Sequence, residues 1–120
     1  MTPEALWQRY ARIWSSEPAT RRTELEACLA DECSYCDVNG LLADREALSG
    51  YMGGFQQSLT GAKFEIVSVI HHHDRMLAEW RLSGSDGTIL QTGRSFATVS
   101  DDGRLRDITG FFDVRDGAGA

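Results

Sequence analysis

Apolar residues recur at three- and four-residue spacing in the first half of the chain and at two-residue spacing through much of the second. Leu6, Trp7, Tyr10, Ile13 and Trp14 fall on one side of a first helix. Thr2 is placed to cap it, Pro3 takes the first helical position, Glu4 lies in the first turn, and Pro18 is expected to end it. A second, shorter helix is expected from a Thr20 cap, with Leu25, Cys28 and Leu29 as its buried stripe. Cys33 to Val38 reads as a short strand followed by an Asn39-Gly40 turn. Asp44 then caps a third helix carrying Leu48, Tyr51, Met52, Phe55 and Leu59, which stops near Gly61. Gly53-Gly54 inside that helix costs roughly 1 kcal/mol per glycine relative to alanine, so either a kink or a very close packing partner is expected there.

After Gly61 the period changes. Lys63 to His73 is rich in β-branched residues, and Met76 to Ser83 alternates, with Ala78, Trp80 and Leu82 opposite Leu77, Glu79 and Arg81. Turns at Asp86-Gly87 and Asp101-Asp102-Gly103 set off strands from Ile89 to Val99 and from Leu105 to Val114. Strands joined by tight turns form an antiparallel meander, and the early helices must cover one of its faces. Interior glycines at 93 and 110 mark bends. The expected class is α+β, in the order α-α-β-α-β-β-β-β. The N-terminal helices pack in a strongly curved antiparallel sheet, forming a cone with an internal pocket. One domain is expected over 1–116, with a flexible tail at 117–120.

Composition narrows the function classes. The chain has 120 residues, 42% hydrophobic and 25% charged, enough for one core without staples. A net charge of -6 and the absence of any Lys/Arg run oppose binding to nucleic acid or anionic membranes. No apolar run is long enough to span a bilayer. The N-terminus lacks the basic and apolar regions of a signal peptide, and Cys28, Cys33 and Cys36 are odd in number. A cytoplasmic protein with reduced thiols is expected.

Five segments, in this order, carry a resemblance: Trp7-Gln8-Arg9-Tyr10, Tyr35-Cys36-Asp37-Val38-Asn39-Gly40, Arg45-Glu46-Ala47-Leu48, Asp102-Gly103-Arg104-Leu105 and Gly110-Phe111-Phe112-Asp113. From about Leu6 to Asp113 the chain resembles the nuclear transport factor 2-like superfamily, in particular its SnoaL-like branch. That superfamily includes ketosteroid isomerase, polyketide cyclases, scytalone dehydratase, limonene-epoxide hydrolase and non-catalytic binding modules. The resemblance implies the cone fold, a small-molecule pocket and a homodimer, and says less about the reaction. Its nearest residue-level echo is ketosteroid isomerase. By that echo Tyr10 would be the oxyanion donor and Asp37 the general base. That enzyme's second oxyanion donor, a protonated aspartate on the penultimate strand, corresponds here to Ser95 or Arg94. Neither is an acid, which argues against ketosteroid isomerisation itself.

Each candidate also has a plainer reading. Asp37 is either a base that removes a proton next to a carbonyl, or a turn aspartate bonding its own backbone at Val38-Asn39-Gly40. Tyr10 is either an oxyanion donor or a packing residue beside Ile13 and Trp14. His71 and His73 share one strand face and His72 takes the other, so they are metal ligands, a pocket acid or base, or solvent-facing hairpin residues. Cys33 and Cys36 have redox or zinc spacing, but a strand sends them to opposite faces, and buried thiols are expected. Trp14, Tyr51, Phe55, Trp80, Phe96, Ile108 and Phe112 are expected pocket walls, with Ser95 beside them and Gly110 leaving room for a ligand. Asp107, Thr109, Phe111 and Asp113 face away, where a dimer partner would cover Phe111.

The expected function is cofactor-independent, metal-free proton transfer of the isomerase or cyclase type on a small apolar carbonyl compound. Asp37 would move the proton and Tyr10 would receive the oxyanion. The expected partners are that small molecule and a second copy of the chain, with no nucleic acid and no membrane. The alternatives are a non-catalytic small-ligand-binding or dimerisation module, and a hydratase or hydrolase using a pocket histidine.

Overall fold

The computed structural model describes residues 1–112. The expected end of the last strand at Val114, the outward Asp113 and the tail at 117–120 lie outside the described residues. Helix α1 spans Pro3–Ile13, and the Thr2 Oγ1 cap accepts from the Ala5 amide at 3.1 Å. It buries Leu6, Trp7, Tyr10, Ala11 and Ile13. Helix α2 spans Pro18–Cys28, with Glu17 in the cap position. Pro18 therefore opens the second helix rather than Thr20, because the first helical position needs no N–H and suits proline's fixed φ. Leu29, expected on α2, is instead the first residue of strand β1, Leu29–Asp37, which starts earlier than Cys33.

A three-residue strand β2, Gly40–Leu42, follows and pairs back onto β1 through Asp37 and Gly40. Helix α3 spans Arg45–Ser58, and Asp44 Oδ1 accepts from the Ala47 amide at 2.8 Å. Strands β3 (Lys63–His72), β4 (Arg75–Ser83), β5 (Ile89–Val99) and β6 (Leu105–Phe111) complete the described chain. No helix among the described residues is long and apolar enough to cross a membrane.

The fold is α+β, with one six-stranded sheet in the order β2-β1-β6-β5-β4-β3. β3 to β6 form the expected antiparallel meander. β1 lies parallel to β6, with Tyr35 beside Ile108, so the sheet is mixed at that one ladder. Local pattern cannot show this pairing, because the two strands are separated by most of the chain.

The helices cover one face of the sheet, where Ile13, Leu25, Leu29, Leu48, Leu105 and Ile108 are fully buried. A register shift in β3 between Ile66 and Ser68 keeps Phe64, Ile66 and then Val69 against that core and turns Val67 outward.

The Gly53-Gly54 pair does not break α3, and a close neighbour explains the first glycine. A Cβ on Gly53 would stand 3.3 Å from Nη2 of the buried Arg21, whereas Gly54 has nothing within 4 Å. Arg21 donates to Ser49 Oγ at 3.0 Å and, through Nη1, to the Ser16 carbonyl and Gln56 Oε1, both at 3.2 Å. Gln56 in turn donates to the carbonyls of Trp14 and Ser16 at 2.9 and 2.7 Å. This network satisfies the carbonyls of the cap residue and the turn just past α1, where a cation is favoured, and ties them to α3.

Gly93 has a different cause. A Cβ there would sit 2.6 Å from the Phe111 carbonyl oxygen and 2.7 Å from Trp80 Cη2. Only glycine lets the Trp80 ring lie across β5.

Candidate functional site

Between the helices and the sheet lies a cavity of about 680 Å³, a size usual for small-molecule sites. All three tryptophans and all three tyrosines of the chain line it. The period of each element places them. Trp7, Tyr10 and Trp14 project from one face of α1, and Tyr51 and Phe55 lie one turn apart on α3. Tyr35 and Asp37 alternate onto the same face of β1, opposite Gly110 and Phe112 at the end of the sheet. Trp14 is the hub, with the Tyr35, Tyr51, Phe55 and Phe64 rings at centroid distances of 5.3 to 5.9 Å. Phe64 and Phe112 each pack on Trp80, at 5.2 and 5.8 Å.

Of the residues expected at the site, Tyr10, Trp14, Asp37, Tyr51, Phe55, Trp80, Ser95, Gly110 and Phe112 all line this cavity. Ile108 does not. It shares their sheet face but is 1% exposed, within the closed core. Phe96 is on the outer face, 37% exposed, because its neighbour Ser95 points inward and adjacent strand residues alternate. A Cβ on Gly110 would touch Asp37, Ser95 and Tyr35 at 3.6 to 3.7 Å, so this glycine leaves open space rather than relieving a clash. Ser95 Oγ accepts from Trp80 Nε1 at 3.0 Å and fixes that ring. Arg94 is exposed on the other face, so no acid and no cation enters the cavity from β5.

Asp37 bonds its own turn and also lines the cavity. Its Oδ1 accepts from the Asn39 amide at 2.7 Å, as a turn aspartate would. Its Oδ2 accepts from the Tyr35 hydroxyl at 2.7 Å and the Tyr51 hydroxyl at 2.9 Å, and Tyr51 also reaches Oδ1 at 3.1 Å. Three donors on a carboxylate with about four acceptor positions leave one free. Asp37 makes no ion pair among the described residues. Tyr35 was not singled out from the sequence. The signal was there, since a residue two before Asp37 on a strand must share its face.

Tyr10 is 5% exposed, packs edge-on against Trp7 at 5.7 Å, and its hydroxyl has no hydrogen-bond partner among the described residues. Burial pushes its phenol well above the usual range, and the Trp14 indole N–H, near the phenol oxygen but outside hydrogen-bond geometry, acts in the opposite sense. Burial raises Tyr35 further, with Tyr10 and Asp37 adding to it. Tyr51 is pushed up to about 12, by burial first and then by its bond to Asp37.

His71, His72 and His73 are exposed, none lines the cavity, and the chain leaves β3 at His72 so that His73 takes a φ of 51° in the turn. The pocket-histidine hydratase or hydrolase is therefore overturned. Among the described residues no group of three or more His, Cys, Asp or Glu side chains could hold a metal ion. Cys28, Cys33 and Cys36 are free thiols, and burial raises Cys28 to about 11 and Cys33 in the same direction.

Residues 7–118 match the model of the SnoaL-like domain, and the chain belongs to that family. Several solved structures share its fold. One is a candidate isomerase of the SnoaL-like family from Agrobacterium tumefaciens strain C58, 20% identical, with TM-score 0.85 over 92% of this chain and 96% of that one. A second, from Catenulispora acidiphila DSM 44928, has a ketosteroid isomerase-like fold and was solved in complex with trimethylamine. It is 17% identical, with TM-score 0.77 over 95% of this chain and 88% of that one. A third, of unknown function and cystatin-like fold, comes from Methylobium petroleophilum PM1, with 12% identity and TM-score 0.72 over 100% of this chain and 83% of that one. At these identities the likeness is one of fold. None of the curated proteins matches the chain.

Because every tyrosine lies at this site, phenolate absorbance reports on it alone. The folded-state values lie above the ordinary phenol value of about 10, so the native state holds its phenol protons longer than the unfolded chain. That contribution to stability is complete below about pH 10 and is lost as pH rises further. An ultraviolet titration of the native protein should show no phenolate through about pH 10.5, then a rise that coincides with unfolding. A reversible rise centred at the ordinary value would contradict the site as described.

Proposed function

We propose that this is a small-molecule enzyme of the isomerase or cyclase type that moves a proton on an apolar carbonyl compound without a cofactor. The observation that supports it most is that Tyr10, whose buried hydroxyl has no partner among the described residues, lines the same cavity as Asp37. An unmet buried hydroxyl costs about 1–3 kcal/mol, and a ligand oxygen would relieve that cost. In this reading the free acceptor position of Asp37 takes the proton from the carbon next to the carbonyl. The electron pair moves onto the carbonyl oxygen, which Tyr10 receives as donor, and Asp37 returns the proton to the same or a neighbouring carbon. Tyr35 and Tyr51 hold the carboxylate in place. That a fold neighbour was solved with trimethylamine agrees with a small-molecule role for the architecture.

Binding without turnover is the second reading. The absence of an acid at Ser95 and the three donors already on Asp37 both favour it. Deuterium uptake next to the carbonyl of small hydrophobic ketones in D2O separates the two. Wild type should accelerate exchange, Asp37→Asn should slow it by about 10²–10⁴, and Tyr10→Phe should slow it while leaving the unliganded protein at least as stable. Equal exchange by wild type and Asp37→Asn would sink the proton-transfer reading.

The proposal includes a homodimer formed through the outer sheet face, where Phe96 and Phe111 are 37% and 62% exposed. The free thiols suit the cytoplasm. In sedimentation the wild type should run as a dimer and Phe111→Asp as a monomer, and a monomeric wild type would rule the dimer out.

A further inference from the structure

We propose that this cavity also takes a positively charged ligand, in competition with a carbonyl compound for the free acceptor position of Asp37: a hydrophobic amine in its ammonium form, or a quaternary ammonium, held on the aromatic walls beside Asp37. The claim rests on the small-molecule reading of the cavity above, but not on its catalysis. It begins with the charges. Of the described side chains that line the cavity, Asp37 alone is charged, and no arginine, lysine or histidine is among them. All three of its protein partners are neutral donors: two phenols and one backbone amide. Arg94, on β5, shares a groove on the other side of the sheet with Glu79 and with the edge of Asp37, but it is not among the residues that line this cavity and makes no ion pair with Asp37 among the described residues. The phenols are held above their ordinary range by burial, so they add no charge near neutral pH.

The wall supplies the second half of the case. Nine of the lining residues are aromatic, and ring faces attract cations through their quadrupole, most strongly when water is excluded. Trp14, Tyr35 and Tyr51 form one cluster, and Tyr35 and Tyr51 both touch the carboxylate. An ammonium there would meet ring faces and the one free acceptor position of Asp37 together. A carboxylate ligand would meet like charge and find no cationic clamp. A net charge of -6 on the whole chain favours the approach of cations over anions.

Three probes of nearly equal size test this: 2-phenylethylammonium, 2-phenylethanol and phenylacetate, titrated at pH 7 by calorimetry and by the fluorescence of the cavity tryptophans. The ammonium should bind about tenfold or more tighter than the alcohol, and phenylacetate should not bind measurably. In Asp37→Asn, checked for folding by circular dichroism, the gap between ammonium and alcohol should close. An alcohol that binds wild type as tightly as the ammonium, or a phenylacetate that binds at all, overturns the proposal. The wild-type ranking decides even if the variant does not fold. Ketone exchange without cation preference would defeat this claim alone, and cation preference without exchange would defeat only the proton-transfer reading.

Discussion

The Asp37 carboxylate, set in an otherwise uncharged and largely aromatic wall, is the constraint around which the site is arranged. A carboxylate set among rings in a partly buried wall is held in one place when its oxygens are satisfied. Here the satisfaction comes from three places: Tyr35 on the same strand, Tyr51 on α3, and the Asn39 amide in the turn that starts β2. One polar group thus fastens α3 to β1 and fixes the hairpin at the strand's end. It also orients two rings whose faces and edges become wall.

The cavity exists because the core is kept from closing. Arg21 and Gln56 bind the carbonyls of Trp14 and Ser16, just past α1, and tie them to α3, which holds Trp14 in place as the hub of the aromatic cluster. Gly53 admits the guanidinium, Gly93 admits the Trp80 ring, and Gly110 leaves the space beside Asp37 unfilled. The solid core lies elsewhere, around Ile13, Leu29, Leu105 and Ile108, so stability and ligand space are divided between two parts of one interior. Tyr10 belongs to both, lining the cavity while its unpartnered hydroxyl is buried.

Much of this was legible in the residues themselves. Thr2 and Asp44 cap helices as their chemistry requires, and alternation set Trp80 with Ala78 and Leu82 on the face that proves to be the inner one. What local pattern missed depends on distant parts of the chain. The parallel pairing of β1 with β6, the buried Arg21 behind Gly53, and the depth at which Ile108 sits all follow from packing between separated elements. Phe96 was misplaced for a simpler reason, since Ser95 and its neighbour cannot both point inward on a regular strand. Pro18 was misread because proline stops one helix and starts the next by the same lack of an N–H.

The most direct test of the central claim, that Asp37 and Tyr10 address one ligand in one cavity, is a high-resolution crystal structure of the protein soaked with a small hydrophobic ketone. The account predicts ketone density in the cavity with its oxygen within about 3 Å of the Tyr10 hydroxyl and its neighbouring carbon facing Asp37. A Tyr10 hydroxyl bonded to protein or water, with the ketone absent or turned away from Asp37, would contradict it.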